Sequence, residues 1–324
     1  MSRDEPKSDS PGGLVAWLQL IRLPNVFTVL ADVGAAFLLI SGSSQPLPRL
    51  VVVLLAGVAL YWAGMILNDV FDVERDRRER ASRPIASGAI SLRAATTAGW
   101  ILLLLGVILA ATAGYLPGGD STWLPAAVGA ALAVMIVLYD GPLKSTPIAP
   151  ATMGSCRVLS FLLGASPILP ITDSFPSIPT YLLGIAFGFG VYVMGITTLA
   201  RDEALGGNRV NLRVGFGVVL VGLVLLAVAP NLAAGGEGEH WQWPPGERFY
   251  FLIGVCALPV VLRGVRLQVS PNGPNLGQTI RVGILSIISL SAAFATLGAG
   301  PQWGAAVLFL IVPALFFATR LRVT

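Results

Sequence analysis

Apolar residues run along nearly the whole of this 324-residue chain in blocks broken by short polar stretches. The blocks fall at roughly 22–41, 49–69, 92–115, 123–139, 149–170, 178–199, 212–230, 248–263, 279–297 and 302–319. A helix of about twenty residues matches the hydrocarbon thickness of a bilayer. Within lipid a segment has to satisfy its own backbone hydrogen bonds, and no alternating pattern of a membrane strand is present. The pattern therefore predicts an all-α, polytopic membrane helical bundle.

Composition sharpens this reading. Hydrophobic residues make up 55% of the chain, mean hydropathy is +0.77, and charged residues are only 12%. That is too little charge to coat a water-soluble globule of this size. The opening thirteen residues, "MSRDEPKSDSPGG", lack the apolar core of a signal peptide. Residues 1–13 are expected to be a disordered cytoplasmic tail, and residues 14–324 a single transmembrane domain. Cys156 and Cys256 each lie in an apolar run and offer no disulfide framework, and the lone His240 cannot build an imidazole metal site. The net charge of +4 follows from topology. With the amino terminus in the cytoplasm, every Lys and Arg falls on that side except Arg49, Arg248 and the intraspan Arg157, as the positive-inside rule requires. Both termini and the acid-rich loops are thus expected to be cytoplasmic. Membrane lipid is the expected surrounding, and no basic-aromatic interleaving points to nucleic acid.

One stretch breaks the apolar pattern: "NDVFDVERDRRERASRPIASGAIS", Asn68 to Ser91. Asn68, Asp72 and Asp76 are spaced four apart, so on a helix each side chain turns only about 40° from the last. Such a row of oxygen donors at the cytoplasmic end of the second span suits a hard cation such as Mg²⁺, which shares its ligands with phosphates. The alternative is a solvated helix whose acids pair with the interleaved arginines.

The same stretch resembles the first aspartate-rich signature of the UbiA family of intramembrane aromatic prenyltransferases, which includes 4-hydroxybenzoate polyprenyltransferase and chlorophyll synthase. The matching residues are Asn68, Asp69, Asp72, Asp76, Arg83, Pro84, Ile85, Ser87 and Gly88. The resemblance implies nine to ten helices around a central cavity, and Mg²⁺-dependent transfer of a prenyl group from its diphosphate to an acceptor. By the same resemblance the acceptor is a lipophilic aromatic such as a hydroxybenzoate, a quinone precursor or a chlorophyll-type ring.

The family's second acid pair follows its sixth span. Here Arg201 and Asp202 resemble the start of that motif, but Gly206 stands where its second acid belongs and Glu203 points to another side of the helix. Tyr139, Pro142, Leu143 and Lys144 resemble a further family stretch. The resemblance implies Asn68, Asp72, Asp76 and Asp202 as metal ligands, Asp72, Asp76 and Asp202 as the catalytic set, and Asp69 as their support. Tyr139, Lys144 and Arg157 would bind substrate. Lys144 also reads as a snorkelling topology marker. Arg157 lies inside a span and demands a partner, either the diphosphate or an acid such as Asp140. Asp32, Asn25 and Thr28 form a polar stripe that either orients the acceptor or joins helices. Loss of the second acid leaves a further alternative, a non-catalytic relative that carries an isoprenoid or aromatic compound.

Overall fold

A computed structural model describes residues 13–172, 175–205 and 209–321, and for 172, 176 and 202–205 the backbone alone. The expected tail, apart from Gly13, lies outside the described residues. These residues build helices, with one hairpin of two-residue strands at 171–172 and 175–176. A short helix α1 (Gly13–Leu20) leads into α2 (Leu23–Ser41), α3 (Leu47–Phe71), the short α4 (Val73–Glu79), α5 (Leu92–Ala113), α6 (Leu124–Leu138) and α7 (Ala149–Ala165). Then follow α8 (Thr180–Leu205), α9 (Arg209–Val228), α10 (Glu247–Val269), α11 (Gly273–Ala299), α12 (Pro301–Phe309) and α13 (Ile311–Leu321).

Among the described residues nine helical stretches are long and apolar enough to cross a membrane, α12 and α13 together forming the last. The chain is an integral, multi-pass membrane protein. The stretch expected to span at 149–170 becomes the 17-residue α7 and a 3-10 turn, Ser166–Ile168. Pro167 sits inside that turn, where its missing N–H and fixed φ end the α-helical ladder.

Contacts close the helices into a ring: α3 packs on α5, α5 on α6, α6 on α7, α7 on α8, α8 on α9, α9 on α10, α10 on α11, and α11 on α2, which returns to α3. Inside the ring α2 also touches α7, and α11 touches α8. Burial follows this placement. The central α2 and α11 are largely enclosed, whereas α5, α10 and α12–α13 turn Ile101, Leu104, Phe251, Leu258, Phe309 and Phe316 outward, where lipid is the solvent.

Small residues set the distances. A Cβ at Gly154 would stand 2.6 Å from the Gly190 carbonyl, so α7 and α8 meet backbone to backbone. A Cβ at Gly164 would overlap the Val33 carbonyl of α2. Lipid tails are as apolar as leucine, so helices in a bilayer gain by close packing rather than by burial, and glycine permits that approach.

The end of the bundle away from the acid-rich stretch holds an unexpected joint. Arg49, expected on the outer side at the start of the second apolar block, lies in the first turn of α3 and is only 1% exposed. Its guanidinium donates to the carbonyls of Leu116 (2.8 Å), Gly119 (2.7 Å) and Asp120 (3.0 Å), and also to Pro167. The loop "YLPGGDSTW" is therefore held by its backbone around one side chain.

Candidate active site

At the opposite end, α3 runs to Phe71 and the chain bends at Asp72 (φ −88°, ψ 0°) before α4 begins. The backbone ladder continues across the bend, with Asp72 N–H donating to Asn68 O (3.1 Å) and Asp76 N–H to Asp72 O (2.8 Å). The one-turn spacing read from the sequence is kept, but the three side chains find three different partners. Asn68 Nδ2 donates to Asp140 Oδ1 at 2.9 Å. Asp72 pairs with Lys144 through Oδ2. Asp76 Oδ2 accepts from Arg83 Nη1 at 2.8 Å.

Arg83 is the hub of the adjoining loop. The same Nη1 donates to Asp69 Oδ1 at 3.0 Å, and Arg22 approaches that oxygen at 3.4 Å. Asp69 and Asp76 are both buried, and an unpaired carboxylate there would be costly. The segment "RPIASG" delivers Arg83 to them. Ile85 and Ile90 are buried in a small cluster with Leu20, Ile66, Val73 and Ala95, which stabilises the turn by about 1.5–3 kcal/mol per side chain. Gly88 (φ +79°) provides the left-handed residue that reverses the chain.

Beneath this layer the helices enclose a cavity of about 340 Å³. Its walls are mostly aliphatic: Val29 of α2, Leu60 of α3, Ile136 of α6, Ile196 of α8, and Ile280, Ile284 and Ile287 of α11. Polar groups enter from Arg22, Asn25, Thr28, Tyr61, Tyr139, Asp140, Arg157 and Ser160. Arg22 joins α1 to α2 in the left-handed region (φ 47°, ψ 57°), a conformation that disfavours a side chain by roughly 1–2 kcal/mol. It also marks a site residue that sequence reasoning took only as a topology marker, since no motif announces a strained junction.

Tyr139 and Asp140 owe their position to a break in α6. Gly141 (φ −94°, ψ −108°) and Pro142 interrupt the helix, and a π turn over Tyr139–Leu143 carries both side chains to the cavity. Single π turns recur at functional positions because they re-aim side chains without ending the helix. Asp140 is 4% exposed, and its second oxygen, Oδ2, is buried with no hydrogen-bond partner among the described residues.

Arg157 does not pair with Asp140. It reaches Asp32 of α2, Nη1 to Oδ2 at 2.7 Å, while Asp32 Oδ1 accepts from its neighbour Val33 N–H at 2.8 Å. The sequence could not choose between two buried acids 108 residues apart, because the choice depends on α7 lying against α2. The predicted stripe is only partly shared: Asn25 and Thr28 face the cavity, and Asp32 is wholly buried in the ion pair.

The side chains of Asp202 and Glu203, and all of Gly206, lie outside the described residues. The helix that carries them is tied to the site, because Arg201 Nη1 donates to Thr146 O at 2.7 Å, two residues beyond Lys144. Thr197 and Ala200 of the same helix line the cavity.

Comparison with known proteins agrees with this architecture. The chain is 25% identical over 297 residues to the digeranylgeranylglyceryl phosphate synthase of Methanosarcina mazei, covering 84% of this chain and 95% of that one. A 37% match to the synthase of the same name from Metallosphaera sedula covers 41% of this chain and 44% of the relative. Among solved structures, one of a digeranylgeranylglyceryl phosphate synthase superposes with a TM-score of 0.62 at 20% identity, over 89% of this chain and 99% of that one. A UbiA homologue from Archaeoglobus fulgidus bound to GPP and Mg²⁺ gives 0.58 at 17% identity, over 90% and 99%. The profile of the UbiA prenyltransferase family matches residues 26–275, and with the ring of helices and the acid-rich end of α3 it places this chain in that family.

Proposed function

We propose that the protein transfers a prenyl group from a prenyl diphosphate to a hydroxyl-bearing lipid acceptor at the cytoplasmic end of the helix ring. The observation that carries this reading is the two-part cavity: an aliphatic chamber that ends under Arg22, Tyr139, Asp140 and Arg157, next to the Asn68–Asp72–Lys144 cluster. A prenyl diphosphate has the same two parts, an apolar tail and a highly charged head.

The donors described at the head are oxygen atoms of Asn68 and Asp72, which fit Mg²⁺, and the family resemblance adds Asp202 of the second motif to them. Asp69 and Asp76 both pair with Arg83, which holds the loop over the site, and Asp76, the third member of the row, is a further ligand in this reading. When bound, Mg²⁺ offsets the negative charge that gathers on the departing diphosphate. Lys144 is poised to exchange its partner Asp72 for that diphosphate, and Arg22 adds a second cation from the α1–α2 junction. The allylic C1–O bond breaks with its electron pair leaving on the diphosphate. An acceptor oxygen then bonds to C1 and releases its proton. The largely aliphatic wall offers few groups that could hold a water beside the same carbon.

For the acceptor, the names of the relatives favour a glycerophosphate-type lipid over the aromatic ring expected from the family resemblance. The cavity supports this choice, since Arg22 offers a cation for a phosphate, while Tyr61 and Tyr139 are the only aromatic side chains lining it among the described residues. The positive-inside distribution supports cytoplasmic placement of this end.

The test uses membranes containing the full chain, a radiolabelled prenyl diphosphate, and geranylgeranylglyceryl phosphate or 4-hydroxybenzoate as acceptor. Labelled ether lipid formed only with Mg²⁺, and at least a hundredfold less with Asp72→Ala, is the expected result. Label entering only hydroxybenzoate would restore the aromatic acceptor. Diphosphate release undiminished in Asp72→Ala would remove the proposed site.

A further inference from the structure

The sequence leaves the second acid motif one carboxylate short, with Gly206 at the vacant position. The structure contains a carboxylate of a different origin beside the first motif. Asp140 lies on the π turn that ends α6, buried to 4% exposure, and lines the cavity. One of its oxygens accepts from Asn68, and the other has no partner among the described residues. Arg22, Asp72 and Lys144 are all close enough for their charges to act on it.

This arrangement is costly unless something else binds there. A buried carboxylate oxygen without a donor loses its hydration and regains nothing from the protein. Arg157, the cation that the sequence offered as its partner, is committed to Asp32, and Lys144 pairs with Asp72. An ionised carboxylate can only accept, and the Asn68 amide accordingly faces Asp140 with its Nδ2. That contact leaves the Asn68 amide oxygen, a hard donor, for another partner. Asn68, Asp72 and Asp140 thus bring oxygen ligands from two separate elements to one end of the cavity.

We infer that Asp140 is a metal ligand of this site, its unpartnered Oδ2 binding the divalent cation that Asn68 and Asp72 also hold. The inference rests on the diphosphate-binding reading above and deepens it. The π turn is then a device for ligation, since a regular helix through Gly141 and Pro142 would not re-aim position 140. It also separates two roles within "YDGPLK": Lys144 attracts the diphosphate, and Asp140 the cation beside it.

The experiment measures binding rather than turnover. The full chain, purified in detergent, is titrated with Mn²⁺ in the presence of inorganic pyrophosphate, and free Mn²⁺ is followed by electron paramagnetic resonance. Asp140→Asn keeps the shape of the side chain and can still accept from Asn68 through its own Oδ1. It is expected to weaken Mn²⁺ at least tenfold, as Asp72→Asn does, with the metal-free melting temperature little changed. If Asp140→Asn does not fold, Asp140→Glu serves instead, and a changed Mn²⁺ affinity is again expected. Affinity within twofold of the parent in the position-140 variant, alongside loss in Asp72→Asn, would overturn the inference and leave the diphosphate site standing. Absence of Mn²⁺ binding by the parent protein, or indifference to Asp72→Asn as well, would overturn both.

Discussion

The Arg83 side chain shows how a charged residue can be structural in a membrane protein. Its 10% exposure and its two carboxylate partners make it the counter-charge of Asp69 and Asp76. Breaking a buried pair from one side leaves an uncompensated charge, at a cost of about 3–5 kcal/mol. Arg83→Ala should therefore lower the melting temperature of the detergent-solubilised protein markedly, and Asp69→Asn combined with Asp76→Asn in that background should restore part of it. No recovery in the triple variant would mean that Arg83 stabilises by packing rather than by charge. A row of acids was legible at this scale because four-residue spacing is a local property of a helix. The partners were not, because Lys144 and Asp140 come from 72 residues away and Arg83 from a loop whose fold depends on Ile85 and Ile90.

At the scale of the element, apolar blocks located the helices because a bilayer imposes one length and one backbone solution on all of them. Irregularities inside the blocks escaped that logic. The π turn at Tyr139–Leu143 and the bend at Asp72 change where side chains point without changing hydropathy, and both lie in the site. The glycines of "GIAFGFG" allow a close helix crossing, but nothing local in the sequence identifies the partner. Gly190 proves to face Gly154 of α7. Gly154→Val should push α7 from α8 and cost about 1–3 kcal/mol of stability, read as earlier aggregation on heating. Gly217 has open space where a methyl group would stand, so Gly217→Ala should leave the same reading unchanged.

For the whole molecule, the ring of helices separates two ends with different chemistry. The acid-rich end gathers exposed arginines of α4 with the cavity mouth, and the other end is locked around the single buried Arg49. On the positive-inside assignment, Ala81→Cys should react with a membrane-impermeant maleimide only in inverted vesicles, and Ser121→Cys only in right-side-out ones. The reverse labelling would invert the proposed topology. Arg49→Ala should loosen the outer end, because the carbonyls of Leu116, Gly119 and Asp120 lose their shared donor. Faster proteolysis at the 116–122 loop, with Mn²⁺ binding at the opposite end retained, is the expected result.

By itself the sequence determined that this chain lives in a membrane, that it does so as helices, and that acidic chemistry sits at the end of the second span. Each of these depends on residues near one another along the chain, or on a solvent that treats every span alike. Tertiary structure decided which buried charges neutralise each other, which face of each helix meets the cavity, and that Asp140 stands beside Asn68 with an oxygen to spare. Those outcomes depend on contacts between distant segments, where a glycine or a broken turn moves a helix by ångströms and ion pairing changes within that distance.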